Sequence, residues 1–437
     1  MLLFQFILLI IYIITSFKIR NYILRDCIFF FTVLYGLQLF IAIWDPYEMH
    51  TIRISTIIMF NLQLIFFVIG AIITEKKIRS RSRTSFAASQ CRSLLPFCWP
   101  KIKTNNLLIF LVLFFLCYSF YNYSRMQAYV STLELVKEGR DYYYNAFFPS
   151  YTLKMVDSII TSIKIPFLVI ALNMTFSGGL NSWKKWFVIV GTLAACYFNS
   201  MTTMGRGDIM VVLFVFFMFC FFSRHYYPQK FKRRILPISL IFLSVVIISL
   251  VATSLIRFNV EIGDVDVDAA AQVLLEPFAT YFYGPICAFD FGVTHTLVYP
   301  HPFFGFAVFA GFWDFFLIPF QILTPAASAL SMNDILGSKM SEFFYFPGGQ
   351  DWNALFTGCI NYYLDFNFIG FIIYPFLHGL LFAKLVYKNS VSSFFLLAIM
   401  FNLSYMHIVS CGVQSVSIVF TLLWTSYICK TLIVTNK

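Results

Sequence analysis

The sequence predicts an all-α polytopic integral membrane protein with about 11 transmembrane helices (11–12) and one large extramembrane loop. Three observations carry that expectation. The chain is 60% apolar and 12% charged, with a mean hydropathy of +0.79. Apolar runs of about 17 or more residues recur along it, each able to cross a ~30 Å hydrocarbon core as a helix. Lipid offers no partner to an exposed backbone, so such runs must be helical rather than open strands. The acidic residues are unevenly spread, since 11 of the 20 fall between Arg257 and Asn367. The whole of 1–437 therefore reads as one polytopic domain, with 257–367 as its large loop and 122–152 as a smaller one.

Taken in order, the spans are Met1–Phe17, Cys27–Trp44, Ile54–Thr74, Asn106–Tyr121, Leu153–Phe176, Trp186–Met201, Ile209–Ser223 and Ile235–Ile256. Beyond the large loop come Phe368–Val386, Val391–Ser410 and Ser415–Cys429. Met1–Phe17 lacks a basic leading region and a small-residue cleavage site, so it reads as a span rather than a cleaved signal. Placing the loops after spans one, three, five, seven, nine and eleven inside gathers 22 of the 31 basic residues there. The only acidic residues sharing those loops are Asp26 and Glu75. This puts the C-terminus inside and the large loop outside. The apolar interval Phe303–Leu323, with Asp314 in it, reads as a helix lying at or dipping into the outer membrane face. The net charge of +11 follows membrane topology and does not point to nucleic acid. The ten cysteines form no CxxC pair and sit mostly in apolar runs, as small core hydrophobes do.

Nine basic residues lie outside the inner loops: Arg53, Arg125, Lys137, Arg140, Lys154, Lys164, Arg206, Arg257 and Lys339. Ionisable groups at or in a membrane are costly and tend to serve function. Arg206 is the sharpest of them. It stands between Gly205 and Gly207 in a tight turn joining two apolar spans. Flanking glycines let the backbone approach a ligand, and a guanidinium grips phosphate bidentately. Arg257 closes span eight at the same outer face, and Arg125 and Arg140 lie on the smaller outer loop. Together these arginines could form a cationic pocket for a diphosphate. The run Asp264-Val265-Asp266-Val267-Asp268 imitates a metal-binding DxD motif but reads as a solvated acidic loop, and no metal or cofactor is expected. There is no P-loop, Rossmann fingerprint, HExxH or GxSxG, so nothing supports an ATP-driven pump.

Three stretches resemble the O-antigen (oligosaccharide repeat-unit) polymerase family of the Wzy type. They are the Gly205-Arg206-Gly207 turn, the run Tyr281–Asp290 with Gly305 beyond it, and Asn353–Thr357 leading through Tyr362-Tyr363-Leu364-Asp365-Phe366-Asn367 to Gly370. Asn367 stands where that family often has glycine, and asparagine also tolerates positive φ.

The resemblance implies a metal-independent inverting glycosyltransferase with a GT-C-like fold in the bacterial inner membrane, its site facing the periplasm. The donor is a glycan on undecaprenyl diphosphate and the acceptor a repeat unit on a second such lipid. Implied partners besides membrane lipid are a chain-length regulator and a repeat-unit flippase. Arg206 and Arg257 would carry the leaving diphosphate's charge, with Asp351, Asp290 or His301 as candidate bases. Arg125, Arg140, Asp290, Asn353 and Asp365 would contact diphosphate or glycan. An O-antigen ligase, a lipid-linked oligosaccharide flippase and a non-enzymatic scaffold are the alternative readings.

Overall fold

The computed structural model describes residues 1–84, 101–102, 105–129, 147–177, 182–203, 207–226, 237, 244, 282–294, 302–324, 330–332, 335–336, 344–346, 351–352, 358–388, 390–409 and 415–434. The regular structure among these residues is helical apart from two pairs of two-residue strands. Among the described residues, five continuous helical stretches are long and apolar enough to cross a membrane, and four shorter apolar helices accompany them. The protein is thus an all-helical chain of membrane-embedded character. Every expected span except the eighth coincides with a described helix, and Ile235–Ile256 lies almost wholly outside the described residues. The chain packs as two compact units, Met1–Phe97 with Leu275–Ile418 and Cys98–Leu274 with Val419–Lys437.

The first unit contains α1 (Leu2–Phe17), α2 (Tyr22–Trp44) and α3 (Ile54–Thr84). The helix α2 begins before the expected span because the Asn21 side chain accepts a hydrogen bond from the Leu24 amide and caps it. The helix α3 is joined by a buried polar network to α1, where Tyr12 donates to Asn61 (2.5 Å) and Asn61 donates to Gln5 (3.1 Å). At the far end of α3, buried Glu75 accepts from the backbone amides of Arg20 (3.1 Å) and Asn21 (3.2 Å) and from the Tyr387 hydroxyl (3.1 Å). One carboxylate there fastens three elements.

The second unit holds α4 (Asn106–Tyr129), α5 (Tyr151–Thr161), α6 (Lys164–Ser177), α7 (Trp183–Thr203) and α8 (Gly207–Tyr226). The expected fifth span is two helices, parted at Ser162 and Ile163. Pro166 follows in the first turn of α6, where its missing N–H has no helical partner to lose. Phe115 packs on Phe167, and Phe176 packs on Phe216 and Phe219. A short antiparallel pair, β1 (Lys101–Ile102) with Ile433–Val434, also belongs to this unit.

The large loop contributes several pieces to the first unit. These are α9 (282–294), α10 (Ala310–Leu323), an antiparallel pair of Phe344–Tyr345 with Asp351–Trp352, and α11 (Cys359–Phe366). A 3-10 turn at Asn367–Ile369 leads into α12 (Gly370–Lys388), then α13 (Val391–Val409). Asn367 does take positive φ, at 49°. A Cβ at Gly370 would collide with the Tyr362 carbonyl oxygen, so only glycine lets α12 start this close to α11.

Two more glycines set the main helix pair of this unit. A Cβ at Gly70 of α3 would strike the carbonyl oxygen of Phe376, and one at Gly379 of α12 would strike that of Phe67. The two backbones touch through reciprocal glycines, as small residues allow where lipid supplies no hydrophobic drive between helices. Phe31, Phe67, Phe382 and Phe401 fill the space beside this crossing.

The Phe303–Leu323 interval is helical only from Ala310. Its first residues are pinned to α11: the amides of Phe303 and Phe304 donate to the carbonyls of Leu364 (2.9 Å) and Asp365 (3.3 Å). Along α10, Ala310, Gly311, Asp314 and Gln321 are buried, while Trp313, Phe316 and Phe320 are exposed. An apolar outer stripe over a polar inner one suits a helix lying against lipid.

Candidate functional site

The site begins at the short link between α2 and α3. Asp45 ends α2 in the left-handed region, at φ 48°. Its carboxylate accepts from the backbone amides of Met49 (2.8 Å) and His50 (3.1 Å), folding the link back on itself. Tyr283 of α9 donates its hydroxyl to the same carboxylate (3.2 Å). Burial, then the nearby Asp45 charge, pushes the Tyr283 phenol up, so it remains a donor. The link is thereby anchored to the large loop, and Arg53 closes it, its carbonyl accepting the first amides of α3 from Thr56 (3.1 Å) and Ile57 (3.2 Å).

Against this helix start stands Asp290 of α9, fully buried. Arg53 Nε donates to its Oδ1 (2.9 Å), and Arg53 Nη2 donates to its backbone carbonyl (3.1 Å). Thr56 donates its hydroxyl to the same Oδ1, and His50 meets Oδ2 through Nε2 (2.8 Å). Burial alone would raise the Asp290 carboxyl, but the hydrogen bonds from His50, Thr56 and Arg53, with the Arg53 charge, outweigh it and hold the group below the usual carboxylate range. The N-terminus of α3 adds its own favourable dipole. Asp290 is therefore an ionised acceptor with its described oxygens engaged.

Two of its partners reach the surface. The Arg53 side chain is 40% exposed and that of His50 12%. The His50 ring stacks on Phe346 (centroids 6.1 Å apart) and meets the edge of Phe291 (5.7 Å). Beneath them, Phe289 packs on Phe60, Tyr363 and Phe371, which joins α9, α3, α11 and α12 in one core. What results is an accessible guanidinium and a partly accessible imidazole, both aimed by one enclosed carboxylate.

The chain matches no family model, no curated protein and no solved structure.

Of the residues expected from sequence to form a site, Arg206, Arg257, Arg140, His301 and Asn353 lie outside the described residues, as does the Asp264–Asp268 run. Asp351 is described only through its backbone, paired with Tyr345. Arg125 is exposed on α4 of the second unit, its guanidinium over the rings of Tyr121 (5.6 Å) and Phe147 (4.9 Å). Asp290 and Asp365 both fall in the first unit and are both fully enclosed. Asp365 accepts from the amides of Ala307 (2.9 Å) and Val308 (3.0 Å) and from the Tyr374 hydroxyl (2.7 Å). It ties the Phe303–Phe309 turn to α11. Asp314 behaves alike, accepting from the Ser331 hydroxyl (2.9 Å) and the Met332 amide (2.7 Å). Among the described residues, no three His, Cys, Asp or Glu side chains gather as ligands for a metal ion.

Sequence reasoning passed over His50 and Thr56, and it named Arg53 only as one basic residue among nine. A usable signal was present. Asp45, Glu48, His50 and Arg53 crowd a short link between two strongly apolar helices, where ionisable groups need a reason.

Proposed function

We propose that this chain is a Wzy-type repeat-unit polymerase in a bacterial inner membrane, with 11–12 spans and a GT-C-like arrangement. It joins oligosaccharide units carried on undecaprenyl diphosphate at the periplasmic face. One observation supports this reading above the others. Two of the stretches that carry the resemblance, 282–290 and 359–370, pack into a single core, and that core holds the Asp290 cluster. A polymerase needs a water-poor site that presents fixed cationic and hydrogen-bonding groups to a leaving diphosphate and an attacking sugar hydroxyl. The exposed part of Arg53 supplies such a cation. Arg206, Arg257, Arg125 and Arg140 enter the proposal through the sequence and the resemblance alone. The partners it calls for are lipid-linked oligosaccharides, a flippase that delivers them and a regulator of chain length.

Deleting the gene tests the reading. Lipopolysaccharide core capped with a single repeat unit is the expected outcome. Bare core, with glycan stranded on the lipid carrier, would transfer the assignment to a ligase. An unchanged ladder in a strain with no second polymerase would remove both.

A further inference from the structure

We infer that His50 is the general base that accepts the proton of the acceptor sugar's hydroxyl, held in orientation by Asp290; this rests on the polymerase reading. The geometry fixes the tautomer. Asp290 is ionised and can only accept, so Nε2 of His50 must carry the proton in their 2.8 Å contact. In the neutral ring, Nδ1 is then the lone-pair nitrogen. Among the described residues Nδ1 has no hydrogen-bond partner, and the side chain retains 12% of its surface. The backbone is held as well, since the His50 amide donates to Asp45 and its carbonyl faces the Cys287 thiol (4.0 Å). Phe291 and Phe346 fix the ring plane. A base oriented by a buried carboxylate, with its second nitrogen free, is the arrangement that activates hydroxyl nucleophiles in general.

The step balances without a co-reactant. The acceptor oxygen forms a bond to the donor's anomeric carbon as the bond from that carbon to the diphosphate oxygen breaks. The bonding pair leaves with the diphosphate, and the hydroxyl proton passes to Nδ1. Asp290 stabilises the imidazolium that forms. It is a positioning residue and does not touch the sugar.

The probe is lipid-diphosphate-linked oligosaccharide extracted from the deletion strain, given to the purified full-length chain in lipid nanodiscs. Wild type should polymerise it; failure would overturn the polymerase reading and this proposal with it. His50→Gln keeps an N–H for Asp290 but has no basic nitrogen. It should lose about 10²–10⁴-fold in kcat with little change in KM. A loss smaller than about tenfold in a protein as well folded as wild type would overturn the proposal while the polymerase reading stands. Asp290→Asn combined with His50→Gln should lose less than the product of the two single losses, because the part of the Asp290 effect that acts through the ring is already gone. Additive losses would count against that coupling. If His50→Gln does not accumulate, His50→Gly assayed with added imidazole decides the matter. Restored turnover supports the base, and insensitivity to imidazole overturns it.

Discussion

Replacing Asp290 by alanine strands three donors at once, and their exposures set the size of the effect. Arg53 is 40% exposed on its side chain and recovers water, so its lost contact weighs little. Thr56 is fully buried, and the His50 side chain is 12% exposed. Each is left with an unmet polar group, costing about 1–3 kcal/mol. The Arg53 contact to the Asp290 backbone carbonyl survives the change. Removing one partner of a buried charged cluster typically destabilises by about 3–5 kcal/mol, which agrees with that sum. Asp290→Asn keeps the volume and one acceptor oxygen, and should lose roughly half as much, about 1.5–2.5 kcal/mol. Thr56→Val removes one donor and leaves the carboxylate its contacts to Arg53 and His50, so about 1 kcal/mol is expected. The assay is a titration of the full-length chain with SDS in mixed micelles, followed by tryptophan fluorescence. The order Ala, then Asn, then Val, from most to least destabilising, is the expected result. Asp290→Ala within about 1 kcal/mol of wild type would refute the claim that this carboxylate organises the link between α2 and α3.

Four further outcomes are expected. Because the Asp290 carboxyl is held below its ordinary 3.8, its contribution is fully present above about pH 4 and is lost as pH falls through the lowered value. The stability gap between wild type and Asp290→Asn should therefore narrow as pH falls below about 4, and a constant gap would contradict the shift. Gly379→Ala would gain about 1 kcal/mol of helix propensity on an open surface. Here the methyl meets the Phe67 carbonyl, and a net loss from about 1–3 kcal/mol of overpacking is expected; a variant more stable than wild type would deny the backbone contact. Asp365→Ala frees the amides of Ala307 and Val308, so proteolysis or hydrogen exchange at residues 303–309 should quicken, and unchanged protection would exclude the clamp. Arg206→Lys keeps the charge but loses the forked donor, so polymerisation should fall by roughly 10²–10³ if the arginine meets a diphosphate in the transition state. A ladder of wild-type length at matched expression would instead mark Arg206 as an interfacial anchor.

By itself the sequence determined the class of the molecule and the course of its helices. Apolar runs such as Cys27–Trp44 and Asn106–Tyr121 are decided locally, because a backbone in lipid has one way to satisfy itself. It also marked Asn367 as a residue able to take positive φ and, through the resemblance, Asp290 and Asp365 as candidate contacts to diphosphate or glycan. What it did not contain was their use. Carboxylates in a loop look alike along a chain, whether they cap a turn, as Asp365 does, or collect side chains from another element, as Asp290 does. The partners of Asp290 lie 234 to 240 residues away in sequence, and no spacing rule spans such a separation. Likewise, nothing local pairs Gly70 with Phe376 or Gly379 with Phe67; that pairing exists only once α3 and α12 meet. Helices are short-range structures written by neighbouring residues, whereas a site is a set of distances between elements, and those distances are decided only by tertiary packing.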